Sequence, residues 1–135
     1  MLQTKIIDNK TFVFDTIRKK WLLLTPEERI RQQVVKYLVD EKKIPKSLIA
    51  LEKTITINNL TKRFDILVYK ESKPWLLIEC KEPNVTLNDA TLQQILNYNH
   101  VLQVKYFAIT NGQDLLVWSV ETNHCILMDD IPNWK

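Results

Sequence analysis

Two apolar runs, Phe64 with Ile66-Leu67-Val68 and Trp75-Leu76-Leu77-Ile78, are separated by little more than the turn-forming Glu71-Ser72-Lys73-Pro74. Neither run alternates apolar with polar residues, so each needs apolar cover on both faces. This predicts two adjacent central strands, Arg63–Tyr69 and Trp75–Cys80, inside a layered domain. Helical periodicity supplies the covering layers. Thr25 as N-cap, Pro26 at the first helical position and Glu28 as the capping-box glutamate open a helix that runs to about Val39. Ile30, Val34, Tyr37 and Leu38 form its predicted buried stripe. Leu87–Leu102 reads as a second helix, with Leu92, Ile95, Leu96 and Leu102 on its apolar face.

The remaining strands read as Thr11–Phe14 and Trp21–Leu24 around the basic Arg18-Lys19-Lys20, then Ile49–Ile57. Tyr106–Thr110 and Leu115–Val120 follow, joined through Asn111-Gly112, with an edge strand over His124–Met128. The order defines an α/β class with a central sheet flanked by helices. At 135 residues and 45% apolar content, residues 1–135 suffice for one domain with a core that needs no staples. Cys80 and Cys125 show no CxxC spacing, which argues against a disulfide framework or zinc site and for a reducing compartment. No apolar stretch approaches the ~20 residues that span a bilayer, so the expectation is a cytoplasmic protein with no membrane partner. The net charge of +3 suits a nucleic-acid partner without requiring one.

The chemistry gathers at the ends of the apolar runs. Asp65 opens one strand and Glu79-Cys80-Lys81 closes the next. Side chains alternate along a strand, so Glu79 and Lys81 project together while Cys80 turns toward the core. In a chain that is 26% charged, Glu-x-Lys arises by chance, and its ordinary fate is a surface salt bridge of Lys81 with Glu79 or Glu82. Against that stand the flanking apolar runs, which put charge where burial is costly. Two hard carboxylate ligands suit Mg²⁺, with Mn²⁺ as a substitute, and the Cys80 carbonyl can add a third oxygen. Lys81 can then orient or help deprotonate an attacking water and offset the charge that develops on phosphorus. His100 and His124 have no partner spacing and read as structural.

Together, Pro26-Glu27-Glu28-Arg29-Ile30-Arg31-Gln32, Arg63-Phe64-Asp65, Ile78-Glu79-Cys80-Lys81-Glu82-Pro83, Gln94-Ile95-Leu96-Asn97-Tyr98-Asn99 and Thr110-Asn111-Gly112 carry a resemblance. The order resembles the PD-(D/E)XK nuclease superfamily, and in particular the N-terminal nuclease domain of type I restriction enzyme motor subunits. Phe64 stands where the superfamily's loose pattern often has proline, and no helicase motor follows in this sequence. The resemblance implies a restriction-endonuclease-like mixed β-sheet and a Mg²⁺-dependent DNA endonuclease. It also puts a first-helix glutamate in the site. Glu27 borders the predicted stripe and is favoured for the metal, leaving Glu28 to the cap. Gln94 and Tyr98 share a helical face in the Gln-x-x-x-Tyr form of RecB-like members, with Gln93 one register step away; an ordinary polar-aromatic pair edging the core has the same spacing. Lys20, Lys62 and Arg63, with Arg18, Lys19 and Lys73, are candidate phosphate contacts, although such charges usually form a solvated surface. The expected partners are DNA and either a second copy of the chain or a separately encoded restriction or helicase subunit. The alternative reading is a nuclease-fold module that binds DNA or a partner without cutting.

Overall fold

A computed structural model describes residues 1–57, 59–88, 93, 96–97, 99–121 and 124–135. Strands β1 (Thr4–Ile7), β2 (Lys10–Asp15) and β3 (Lys20–Leu23) form an antiparallel three-stranded sheet in that order. Helix α1 (Pro26–Asp40) follows, and a 3₁₀ turn at Lys46–Leu48 leads into β4 (Ile49–Ile57), β5 (Leu60–Lys70) and β6 (Lys73–Cys80). After α2 (Asn99–Leu102) come β7 (Tyr106–Thr110), β8 (Leu115–Val120) and β9 (Cys125–Met128). These last six strands make one sheet in the order β4-β5-β6-β7-β8-β9, antiparallel except for the parallel pair β6 and β7. The sheet is therefore mixed, as the sequence reading requires.

Both faces of the central pair are covered. One apolar cluster joins Ile66, Val68, Leu76 and Ile78 to Ile30, Val35 and Leu38 of α1. The other joins Phe64, Leu67 and Leu77 to Phe107, Trp118, Leu102 and Val104. The β5–β6 connection is tighter than its four turn-forming residues suggest. Glu71 (φ 53°) and Ser72 (φ 66°) both take left-handed backbone, the signature of a two-residue hairpin turn, so Lys73 and Pro74 belong to β6. The register shifts between Val68 and Tyr69 to bring Tyr69 opposite Pro74.

Helix α1 keeps its predicted span and its Thr25 N-cap, but only half of the capping box and half of the predicted stripe. The Thr25 hydroxyl accepts the Glu28 N–H at 3.0 Å, which is half of a capping box. The reciprocal half is missing, because the Thr25 N–H donates to the Leu23 carbonyl at 3.0 Å and the Glu28 side chain turns inward. Val35 joins Ile30 and Leu38 in the core, whereas Val34 and Tyr37 are only partly buried. The N-terminal end of the buried face is polar: Glu28, Arg31 and Gln32. The predicted second helix starts too early, since Leu87 and Asn88 are not helical; Gln93, Leu96 and α2 are helical, and Leu92 and Ile95 lie outside the described residues. Leu87 nonetheless packs on the second cluster, which explains its apolar spacing without a helix.

Gly112 carries the turn between β7 and β8. Its φ of +92° favours glycine, and an added Cβ would stand 3.1 Å from Ile30 Cγ1. Gly112→Ala is therefore expected to destabilise the protein by about 1–3 kcal/mol in denaturant unfolding. An unchanged midpoint would contradict this account of the turn.

Candidate functional site

The β5–β6 ladder ends at the pair Ile66↔Ile78, and the next residues in line are Asp65 and Glu79. Here side chains take over from the backbone. Glu79 Oε2 accepts the Asp65 N–H at 3.3 Å, and Asp65 Oδ2 accepts the Cys80 N–H at 2.8 Å. On the other edge of β5, the pairing passes from Leu51↔Ile66 to Lys53↔Phe64 across Glu52, whose φ of 51° is left-handed. Phe64 and Ile66, two residues apart, consequently face opposite apolar clusters. The regular alternation breaks at Asp65, and the break brings Asp65 against Glu79.

Glu79 is 7% exposed. Burial first, and then the neighbouring Asp65, push its carboxyl up to about 8 from an ordinary 4.5, while Lys62 pulls the other way. Cys80 packs in the cluster that includes Ile78, and burial pushes its thiol up, so the sulfur is kept protonated and inert. Lys81 leaves the end of β6 with its N–H donated to the Thr110 carbonyl at 2.7 Å. Among the described residues no ion pair includes its ammonium, so the salt bridge with Glu79 or Glu82 is not formed.

The third contributor is one the sequence reading missed. Arg31, on α1, donates from Nη2 to Glu27 at 2.8 Å and to Asp65 at 3.2 Å, and from Nη1 to Glu28 at 2.8 Å. Glu28 also accepts from Arg18 and from Gln32, each at 3.0 Å, and Arg18 reaches Asp15 at 2.6 Å and Glu52 at 2.7 Å. Burial opposes the charge on Arg31, yet Glu28, Asp65 and Glu52 outweigh it and raise its pKa. Arg18 thus belongs to an internal network, and its reading as a phosphate contact is corrected. A signal existed: Arg31 lies three residues after Glu28 and four after Glu27, the spacing of helical ion pairs. Glu52 gave none.

The two helix glutamates differ in burial, and Glu28 does not spend its carboxylate on the cap. Glu28 is the buried one, locked by Arg18, Arg31 and Gln32, while the Glu27 side chain is 51% exposed and shares Arg31 Nη2 with Asp65. Lys20 is exposed opposite Asp15, Lys62 lies over the Phe64 ring at 6.0 Å, and Arg63 is 65% exposed with Glu52 at 3.3 Å. Gln94 and Tyr98 lie outside the described residues; Gln93 is exposed. Among the described residues no three His, Cys, Asp or Glu side chains are grouped to hold a metal. Asp65 and Glu79 are two, which suits Mg²⁺, an ion that takes one or two carboxylates and keeps several waters.

A mixed sheet whose central strands part around an aspartate and a glutamate, with a helix laid across one face, defines a restriction-endonuclease-like nuclease domain. Among the solved structures that share its fold are these two. One is a fragment of a protein assigned as the HsdR subunit of a type I restriction enzyme from Vibrio vulnificus YJ016, at 23% identity and a TM-score of 0.56 over 75% of this chain. The present chain spans 22% of the length of that one. The other is a protein assigned as a nuclease of DUF820 from Anabaena variabilis ATCC 29413, at 15% identity and a TM-score of 0.54, covering 94% of this chain and 76% of its own. No curated protein matches in sequence. The model of the type I restriction enzyme R protein N terminus matches residues 26–132, and the chain belongs to that family.

Proposed function

We propose that this chain is a Mg²⁺-dependent DNA endonuclease, acting with DNA in a restriction complex. The observation that carries the reading is the meeting of Asp65 and Glu79 where β5 and β6 part, with Lys81, in no ion pair among the described residues, two positions after Glu79. Asp65 and Glu79, with the Cys80 carbonyl, would hold the ion. Bound there, Mg²⁺ would supply positive charge against the negative charge that builds on the phosphate in the transition state. Lys81 orients the attacking water and steadies that developing charge from the protein side. Glu27 is the helix carboxylate best placed to assist, because it shares Arg31 Nη2 with Asp65 and is open to solvent. Gln94 and Tyr98 are further assisting candidates. Lys62 and Arg63, on the strand that carries Asp65, and Lys20 would contact phosphates without reading sequence.

The test is incubation of the purified protein with plasmid DNA and Mg²⁺ or Mn²⁺, with Asp65→Asn as control. The expected result is metal-dependent cutting by the wild type that falls at least about 100-fold in the variant. Equal cutting by both proteins would overturn the proposal. Binding of DNA without any cutting would favour a docking module instead.

A further inference from the structure

Arg31 is a full positive charge held out of water, with its side chain 4% exposed. Its guanidinium is divided among Glu27, Glu28 and Asp65, with Glu52 at 3.4 Å, instead of forming one two-pronged pair. Its Nε is, among the described residues, the buried side-chain nitrogen or oxygen that finds no hydrogen-bond partner. The charge is therefore fixed in place while its donors are not fully used.

The cage around it does not depend on Asp65. Glu28 is held separately by Arg18 and Gln32, and Glu52 by Arg18 and by Arg63. Of the two bonds from Nη2, the one to Asp65 is the longer, 3.2 Å against 2.8 Å. Asp65 is also the member of the cage that touches Glu79 through the strand break.

We infer that Arg31 is a positioning residue that holds Asp65 as a built-in counter-ion, and that a divalent cation taken up between Asp65 and Glu79 enters in competition with it. The inference rests on the cation site proposed above. A guanidinium cannot relieve the repulsion by losing its proton, and a site largely closed to water screens it poorly. The relief open to it is to release Asp65 and stay with Glu27, Glu28 and Glu52. The carboxylate pair is thus kept neutralised and oriented until the cation arrives.

Calorimetric titration with Mn²⁺ tests this. Arg31→Met combined with Glu28→Gln removes one charge of each sign, and it is expected to bind Mn²⁺ at least about tenfold more tightly than Glu28→Gln alone. Arg31→Lys, which keeps the charge, is expected to stay within about threefold of wild type. A merely structural arginine would give equal or weaker binding on removal, and that result overturns the inference. Should the double variant not fold, the unaltered protein decides: the Arg31 Nε–H resonance is expected to move along the Mg²⁺ binding curve, and a stationary resonance overturns the competition. Absence of cation binding in the wild type and the double variant alike would instead remove the proposed site itself.

Discussion

Replacing Lys81 with alanine is expected to leave the fold and the Mn²⁺ affinity within about twofold of wild type while plasmid cleavage falls by roughly 10²–10⁴-fold. The separation follows from where the residue sits. Its contribution to the sheet is its backbone N–H, donated to Thr110, which alanine retains. Its ammonium is in no ion pair among the described residues, so truncation strands no buried carboxylate. What is lost is the ammonium proposed to orient the attacking water. Circular dichroism and calorimetry establish the first two conditions, and cleavage rates the third. Wild-type cutting by Lys81→Ala would remove lysine from the mechanism, whereas loss of folding would show that the side chain is part of the scaffold.

The second large effect is on pH. In the metal-free protein Glu79 holds its proton up to about pH 8, whereas an unfolded glutamate releases it near 4.5. Between those values the folded state binds more protons than the unfolded state, so stability falls as pH rises through the window. The contribution is full below about 4.5 and lost above about 8, and its size is on the order of a few kcal/mol for a carboxyl this buried. Glu79→Gln is expected to flatten that slope in denaturant melts at pH 5, 7 and 9. Cation binding runs the other way, because the proton must leave before the carboxylate can serve: Mg²⁺ affinity rises over the same interval. An affinity that does not change between mild acid and neutrality would speak against Asp65 and Glu79 sharing an ion.

The central strands were legible because burial on both faces leaves unbroken apolar runs, and β7 and β8 have the bounds that Tyr106–Thr110 and Leu115–Val120 suggest. β1 was not legible, since all four of its residues are exposed and no burial pattern marks it. That Asp65 and Glu79 come together could be read from the apolar runs beside them, although Asp65 lies inside β5 (Leu60–Lys70) and does not open it. The break between them could not: it depends on the left-handed Glu52 across the ladder. Glu28 misled because a capping-box pattern states only that a carboxylate can reach back, not that it lacks a better partner. Arg18, Arg31 and Gln32 are that better partner, and Arg18 reaches it from the turn that joins β2 to β3. Hydropathy marks buried charge as surface, so beyond the helical spacing of Arg31 from Glu27 and Glu28 such a network shows only once the chain is folded.

Where β5 and β6 part, the acceptors for two main-chain amides are the carboxylates of Asp65 and Glu79. Alanine at either position would leave an orphaned donor in the sheet, whereas asparagine or glutamine keeps an oxygen in reach while surrendering the charge. The mutational neighbourhood of this domain is therefore uneven. On the proposed function, a lineage can drift from cutting to mere holding through single amide substitutions that preserve the sheet, and the reverse step is equally short.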